Sequence, residues 1–365
     1  MRMVKRNVFQ PDWISAPGET IVDILEERGL KRTEFGRLMG QPPERVEELM
    51  DARATITTDI AHRLEAVLGG SAAFWITRES QYRKDAARIQ QDATTAVDYN
   101  WLGELPAKDM IKFGWLKPAR GPAAQVRACL EFFGVADVNA WRLRYRSVLE
   151  KAAFRTSQAF ESRPAAVAAW LRQGEIQAAS IDCGPWNPAR FQGLLPALRP
   201  LTRKKNPSDF LPELAKRCAE CGVAVVIVRA PTGCRASGAT RFLSPTKALL
   251  LLSFRYLSDD HFWFTFFHEA GHLLLHGQDT LFLEGTDTIS AKDEQEANDL
   301  AGGVLIPSAL DARLLGLPLN GREVIKFARL AGVSPGVVVG QLQYRKRIKP
   351  NQLNGLKRRF SWKHD

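Results

Sequence analysis

The sequence predicts an α+β chain that is mostly helical, and three observations predict it. The first 91 residues carry apolar stripes at helical spacing, punctuated by Gly and Pro. Val223–Val228 is a β-branched run that reads as a buried strand, and Gly238–Leu243 and Ala248–Ser253 read as two more. A very apolar stretch then opens at Asp260 and reads as a buried helix carrying His268-Glu269-Ala270-Gly271-His272. Helix, strands and a buried helix together make an α+β arrangement.

A length of 365 residues is too much for one small core and predicts two or three domains. The expected parts are 1–91, a five-helix domain; 92–209, a helical connecting region; 210–319, a domain with a small sheet; and 320–365, a basic helical unit. The apolar fraction of 45% excludes wholesale disorder. No run of about 18 apolar residues exists, so no membrane span is expected. Met1–Arg6 has the charges of a signal peptide but not the apolar run that should follow, so the chain is expected to stay in the cytoplasm. Five cysteines, an odd and low number, fit a reducing compartment. Cys218-Ala-Glu-Cys221 reads as two semi-buried thiols at a helix end. The net charge of +11 is uneven: residues 1–91 are neutral, 92–260 carry +9, 261–319 carry −7 and 320–365 carry +9.

In the first domain, Ile21, Ile24 and Leu25 form one stripe, ended by Gly29. Thr33 caps the next helix, with Phe35, Leu38 and Met39 apolar and Gly40 as its stop. Gln41-Pro42-Pro43 opens a third, whose inner face is Val46, Leu49 and Met50. Thr57 or Thr58 caps a fourth, and a fifth begins near Ser71 and carries Phe74, Trp75 and Tyr82. Two short helices joined at Gly40 form the pattern of a helix-turn-helix. The segments Pro17-Gly18-Glu19, Thr33-Glu34-Phe35, Gly40-Gln41-Pro42-Pro43, Ala54-Thr55-Ile56-Thr57, Arg63-Leu64-Glu65 and Ala73-Phe74-Trp75 resemble the HigA-type branch of the XRE helix-turn-helix family. That resemblance covers about residues 15–85 and implies an antitoxin or autorepressor. Gln41, Arg45, Arg32, Arg37 and Arg53 are the candidates for DNA contact. The third helix also presents Glu44, Glu47, Glu48 and Asp51, which repel a phosphate backbone, so the competing reading is a protein-docking module for dimerisation or for holding a toxin or substrate.

The middle region shows helical spacing at Asn100–Leu102, 124–134 and Ala165–Leu171. Pro185, Pro188, Pro196 and Pro200 mark a passage expected to be loop-rich, and Arg203-Lys204-Lys205 reads as a solvated loop. Phe210–Cys221 reads as a helix ahead of the strands.

The HExxH spacing has a geometric reason. Positions i and i+4 share one helix face about 5–6 Å apart, so two imidazoles can reach one tetrahedral Zn²⁺. Glu269, one residue round the helix, is then placed as general base for an attacking water. A third ligand is sought in Lys292-Asp293-Glu294-Gln295-Glu296-Ala297-Asn298 on a following helix. Glu294 lies 22 residues after His272, which suits a second helix packing back against the first. Glu296 should point to another face, and His276 reads as a support or pocket wall rather than a ligand.

The strings His268–His276, Glu294-Gln295-Glu296-Ala297-Asn298-Asp299-Leu300-Ala301 and Val304-Leu305-Ile306-Pro307 resemble the ImmA/IrrE family of zinc metallopeptidases, over roughly 218–310. The resemblance implies a zincin-like fold, Glu294 as third zinc ligand beside His268 and His272, and a supporting place for Asn298. Leu300-Ala301 stands where the family usually has Phe-Ala. Gly238-Ala239-Thr240-Arg241 and Asp259–Phe267 look like the branch fused to a HigA-like domain. The implied function is a zinc-dependent endopeptidase cleaving one regulatory protein, a repressor or antitoxin, in a stress, mobile-element or toxin-antitoxin circuit. The alternative is a HigA-like regulator whose peptidase fold is latent or sensory. In the last part, Val324–Leu330, the turn Gly332-Val333-Ser334-Pro335 and Val337–Gln343 resemble a second helix-turn-helix unit. The basic residues that follow, interleaved with Tyr344, Phe360 and Trp362, suit either nucleic acid or a helical support for the peptidase.

Overall fold

The computed structural model describes residues 14–146, 148, 163–276, 282–283 and 290–362. Met1–Arg6 lies outside them. The chain divides into two compact units, Met1–Asp98 and Tyr99–Asp365. It is mostly helical with one small sheet. Among the described residues no helix is long and apolar enough to cross a membrane.

The first unit contains α1 (Pro17–Glu27), α2 (Arg32–Met39), α3 (Pro43–Met50) and α4 (Thr58–Leu68). Their inward stripes form one core of Ile21, Phe35, Val46, Leu64 and Trp75 among others. Gly40 closes α2 in the left-handed region and Pro43 opens α3, as the punctuation requires. Thr57 caps α4 by accepting the Ile60 N–H at 3.4 Å. The fifth helix, α5 (Ala72–Glu104), continues well past residue 91, because no Gly or Pro interrupts it before Gly103.

The second unit is layered on a sheet of β1 (Val223–Ile227), β2 (Gly238–Ser244), β3 (Lys247–Leu252) and β4 (Phe282–Leu283), in the order β1-β3-β2-β4. β1 and β3 are parallel, while β2 runs antiparallel to both neighbours β3 and β4. Successive side chains point to opposite faces, and in β1 and β3 both faces are buried. Val223, Val225, Ala248, Leu250 and Leu252 enter one core. Ala224, Val226, Leu249 and Leu251 enter the other, with Trp101, Phe133, Trp141 and Trp170. The Ala-rich helix Pro164–Ala179 covers this second face, and Trp170 donates its Nε1–H to Val228 O at 2.9 Å.

Of the prolines of 185–200, only Pro185 lies in irregular backbone, at 182–187; the rest of the expected loop is helical. Pro188 and Pro200 sit in first turns, where no N–H is needed, and Asn187 caps by accepting the Arg190 N–H; a helix runs Pro188–Leu198 and a 3-10 turn follows at Arg199–Arg203. Cys218 and Cys221, expected half-buried, are fully buried, and burial pushes both thiols up.

The helix Asp259–Leu275 carries the HExxH motif and is buried along most of its length. It packs on β2 and β3, on the helix Ala291–Leu305 and on the helix Pro335–Tyr344. A helix apolar on nearly every side belongs in such a place. The C-terminal segment ties down its start. Ser334 Oγ donates to Asp259 Oδ2 at 2.7 Å, Arg358 N–H to Asp259 Oδ1 at 3.0 Å and Phe360 N–H to Leu257 O at 2.8 Å. Lys357 Nζ meets Asp260 Oδ2 at 2.6 Å, with both side chains buried. Phe360 and Trp362 pack on Phe254. The expected short helices at the C-terminus exist, as Gly321–Ala331 and Pro335–Tyr344, and they are part of the core around the HExxH helix.

Removing one partner of a buried ion pair strands the other. Lys357→Met is expected to destabilise the 99–365 unit by about 3 kcal/mol in urea denaturation, and adding Asp260→Asn should return most of that loss. Additive losses in the double variant would contradict the pairing.

Candidate metal centre

His268 and His272 lie on the same face of the HExxH helix, one turn apart, and both are buried. Their Nε2 atoms face each other at 3.0 Å. Glu294, in the first turn of the helix Ala291–Leu305, brings its carboxylate to 3.4 Å from His268 Nε2 and 3.9 Å from His272 Nε2. All three ligand atoms lie within 4.8 Å of one another. Donors on one tetrahedral ion at 2.0–2.1 Å would stand about 3.3 Å apart, so this set fits a single metal ion. The structure thus brings His268, His272 and Glu294 together.

Two close-approach points make the arrangement possible. At Gly271 an added Cβ would sit 3.1 Å from Ala297 Cα, so the two metal-facing helices touch almost backbone to backbone. At Gly238, the first residue of β2, an added Cβ would collide with Glu269 Oε1 and lie 2.6 Å from its Cγ. Glu269 is fully buried, with its side chain against this strand. Gly238 is the site residue that the sequence reading missed; it stood in Gly238-Ala239-Thr240-Arg241, but only the fold reveals what it faces.

Each imidazole has a partner on its far nitrogen. His268 Nδ1 is 3.0 Å from Asn298 Oδ1, which can only accept, so Nδ1 carries the proton and Nε2 keeps its lone pair. His272 Nδ1 is 3.0 Å from His276 Nδ1. With the proton on His272 Nδ1, His276 Nδ1 accepts, and His276 Nε2–H donates toward Glu296 Oε2 at 3.3 Å and Asp293 Oδ1 at 3.7 Å. His276, Asp293 and Glu296 also lie close enough to hold a cation, but in this tautomer His276 Nε2 is a donor and the group is a support for His272. Burial holds His268 neutral, its pKa pulled down to about 4, and His272 likewise, to about 3, with the neighbouring histidines adding to the effect. Burial raises Glu294.

The residues expected at DNA sit in the other unit. Arg32 pairs with Glu47 at 3.1 Å, Arg45 with Glu48 at 2.7 Å and Arg53 with Asp51 at 2.8 Å. Arg37 is exposed and makes no ion pair among the described residues, and Gln41 is half-buried. The surface around α3 is therefore locally neutral, through exposed pairs that are individually weak.

Residues 222–342 match the family model Peptidase_M78, described as the IrrE N-terminal-like domain. A stretch of 66 residues, 18% of the chain and 70% of the relative, is 29% identical to the uncharacterized HTH-type transcriptional regulator YddM of Escherichia coli (strain K12). The two findings fit a helix-turn-helix domain fused to an ImmA/IrrE-type peptidase domain.

Neutral burial of His268 and His272 has a pH consequence. The unfolded imidazoles protonate near 6.5, while the native ones stay neutral until about 4 and 3. The unfolded state therefore binds more protons below pH 6.5, and stability falls as pH drops through that window. Metal-free protein in EDTA should lose stability to urea between pH 7.5 and 5, and His268→Gln should flatten the slope. An unchanged slope in that variant would contradict the neutral assignment. Gly238→Ala should leave metal content intact while displacing Glu269, seen as unchanged metal stoichiometry with a shifted Glu269 in a crystal structure.

Proposed function

From a peptidase-family domain joined in one chain to a helix-turn-helix unit, we propose that this protein is a zinc-dependent endopeptidase of the cytoplasm that cleaves one regulatory protein, a repressor or antitoxin. The observation that carries the reading is the convergence of His268, His272 and Glu294, each imidazole with its far nitrogen engaged so that Nε2 faces inward. Three protein ligands, against the four of a structural site, is the pattern of a catalytic zinc site. The five cysteines are free thiols, which supports a reducing compartment. The relative's name, a transcriptional regulator, supports the regulatory setting and contact with DNA.

His268 and His272 would hold the zinc through Nε2 and Glu294 through its carboxylate. When bound, zinc supplies Lewis-acid polarisation of the scissile carbonyl. Glu269 takes the proton from the attacking water and returns it to the departing amine nitrogen. Gly238 lets that carboxylate lie flush against β2. Asn298 and His276 keep the two imidazoles in the ligating tautomer, and Glu296 and Asp293 hold His276 in turn.

Glu269→Gln keeps the shape and removes the base. It should retain about one zinc per chain and lower cleavage by a factor of about 10² or more. His272→Ala should lose the zinc. Unchanged cleavage by Glu269→Gln would sink the mechanism, and pure wild-type protein without zinc after zinc-replete expression would sink the site.

A further inference from the structure

Beside the metal-facing residues, on the same face of the HExxH helix, lies a pocket of about 340 Å³. Tyr256, His261, Phe264 and Tyr344 wall it, and Leu305 and Gln341 line it further. The walls are aromatic: Tyr256 stacks on His261 with ring centroids 4.3 Å apart, and Phe264 lies tilted against Tyr344 at 5.9 Å. Phe264 is also the link to the metal centre. Its ring lies 6.1 Å from that of His268 at an interplanar angle of 29°.

Gln341 is the unusual member. Its residue is only 3% exposed, yet among the described residues its carboxamide makes no hydrogen bond. Its neighbour Gln343 is fully engaged, donating to Pro350 O, Gln352 O and Asn354 Oδ1 and accepting from Lys357 Nζ. The carboxamide is not itself sealed off; it opens on the pocket, where it offers a donor and an acceptor to whatever enters. The pocket holds no net charge to attract an ion, because Asp260, which also lines it, is closed off by Lys357 at 2.6 Å.

We propose that this pocket is the side-chain subsite of the peptidase and that it takes a tyrosine of the polypeptide substrate. An aromatic body matches the aromatic walls, and the phenol supplies the hydrogen bond that Gln341 lacks. A phenylalanine would fill the same space and leave the carboxamide unpaired, so the site prefers tyrosine over phenylalanine. A cationic side chain finds no free carboxylate there. The tyrosine side chain in this pocket places its own main chain beside Phe264 and His268, next to the bond to be cut. This inference rests on the peptidase reading, and names the residue by which that site selects its substrate.

The test uses the full chain, zinc-loaded, on a proteome-derived peptide library with cleavage sites read by mass spectrometry. Tyrosine should be enriched at one fixed position relative to the cut, over phenylalanine by about fivefold, the worth of one neutral hydrogen bond. Gln341→Leu should abolish the tyrosine-over-phenylalanine ratio with zinc content unchanged. Tyr344→Ala, at an exposed position, should weaken selection of both residues and keep their ratio. Saturation-transfer NMR with N-acetyl-tyrosinamide on the same proteins reads the pocket without cleavage, and binding should weaken in both variants, by about fivefold in Gln341→Leu. Cleavage with no positional preference, or with a preference that Gln341→Leu leaves intact, overturns the pocket alone. Binding of N-acetyl-tyrosinamide, weakened in both variants, without cleavage of any peptide keeps the pocket as a tyrosine site and overturns the peptidase reading. Neither binding of the amide nor cleavage of any peptide overturns both.

Discussion

At Gly271 the HExxH helix meets the helix Ala291–Leu305 so closely that a single methyl group would stand 3.1 Å from the Ala297 backbone. The candidate metal centre depends on that approach. The two imidazoles come from one helix and the carboxylate of Glu294 from the other, so a wider gap would leave two donors and no third. Asn298 and Glu296 reach His268 and His276 from the same second helix. One backbone contact therefore sets both the donors and the groups that fix their tautomers. Two neutral nitrogens facing each other 3.0 Å apart make poor neighbours unless something lies between them, and burial keeps both uncharged.

Such a centre needs the HExxH helix held still, and the surrounding layers do this from three sides. The sheet supports it from below, with Gly238 of β2 making room for Glu269. The C-terminal helices lie along it, and the final segment fastens its first turn through Ser334, Lys357 and Arg358. Two acidic residues in a first turn suit the positive end of the helix. Here they also receive the charge and hydrogen bonds of a segment about 100 residues away. The positive charge at 357–358 thus has a structural employment, as do Phe360 and Trp362 in the core.

Much of this was legible in the residues. The helical stripes of the first unit, the three longer strands and the HExxH spacing each follow from a local period, and the structure realises them within a few residues. Where local signals conflicted with the fold, the fold decided. Four prolines in 185–200 read as loop, yet two of them sit in first turns and a helix forms. The half-buried thiols expected at Cys218 and Cys221 are fully buried because the helix end they occupy faces the core of the sheet. Arg32, Arg45 and Arg53 read as DNA contacts, and each meets a carboxylate; Arg45–Glu48 follows from i,i+3 spacing, whereas Arg32–Glu47 joins two helices that only the fold brings together.

By itself the sequence determined the chemistry: which side chains can ligate a metal, which carboxylate stands one residue round from the first histidine, and which segments are helix or strand. These are matters of residue type and short-range period, and a chain carries them wherever it goes. Only the tertiary structure decided the distances. It chose Asn298 as the acceptor for His268, set His276 Nδ1 against His272 Nδ1, put Gly238 under Glu269 and left the Gln341 carboxamide facing a pocket of aromatic rings. Those relations join residues tens of positions apart, and close packing of helices and sheet, which no local period encodes, is what brings them within a few ångströms.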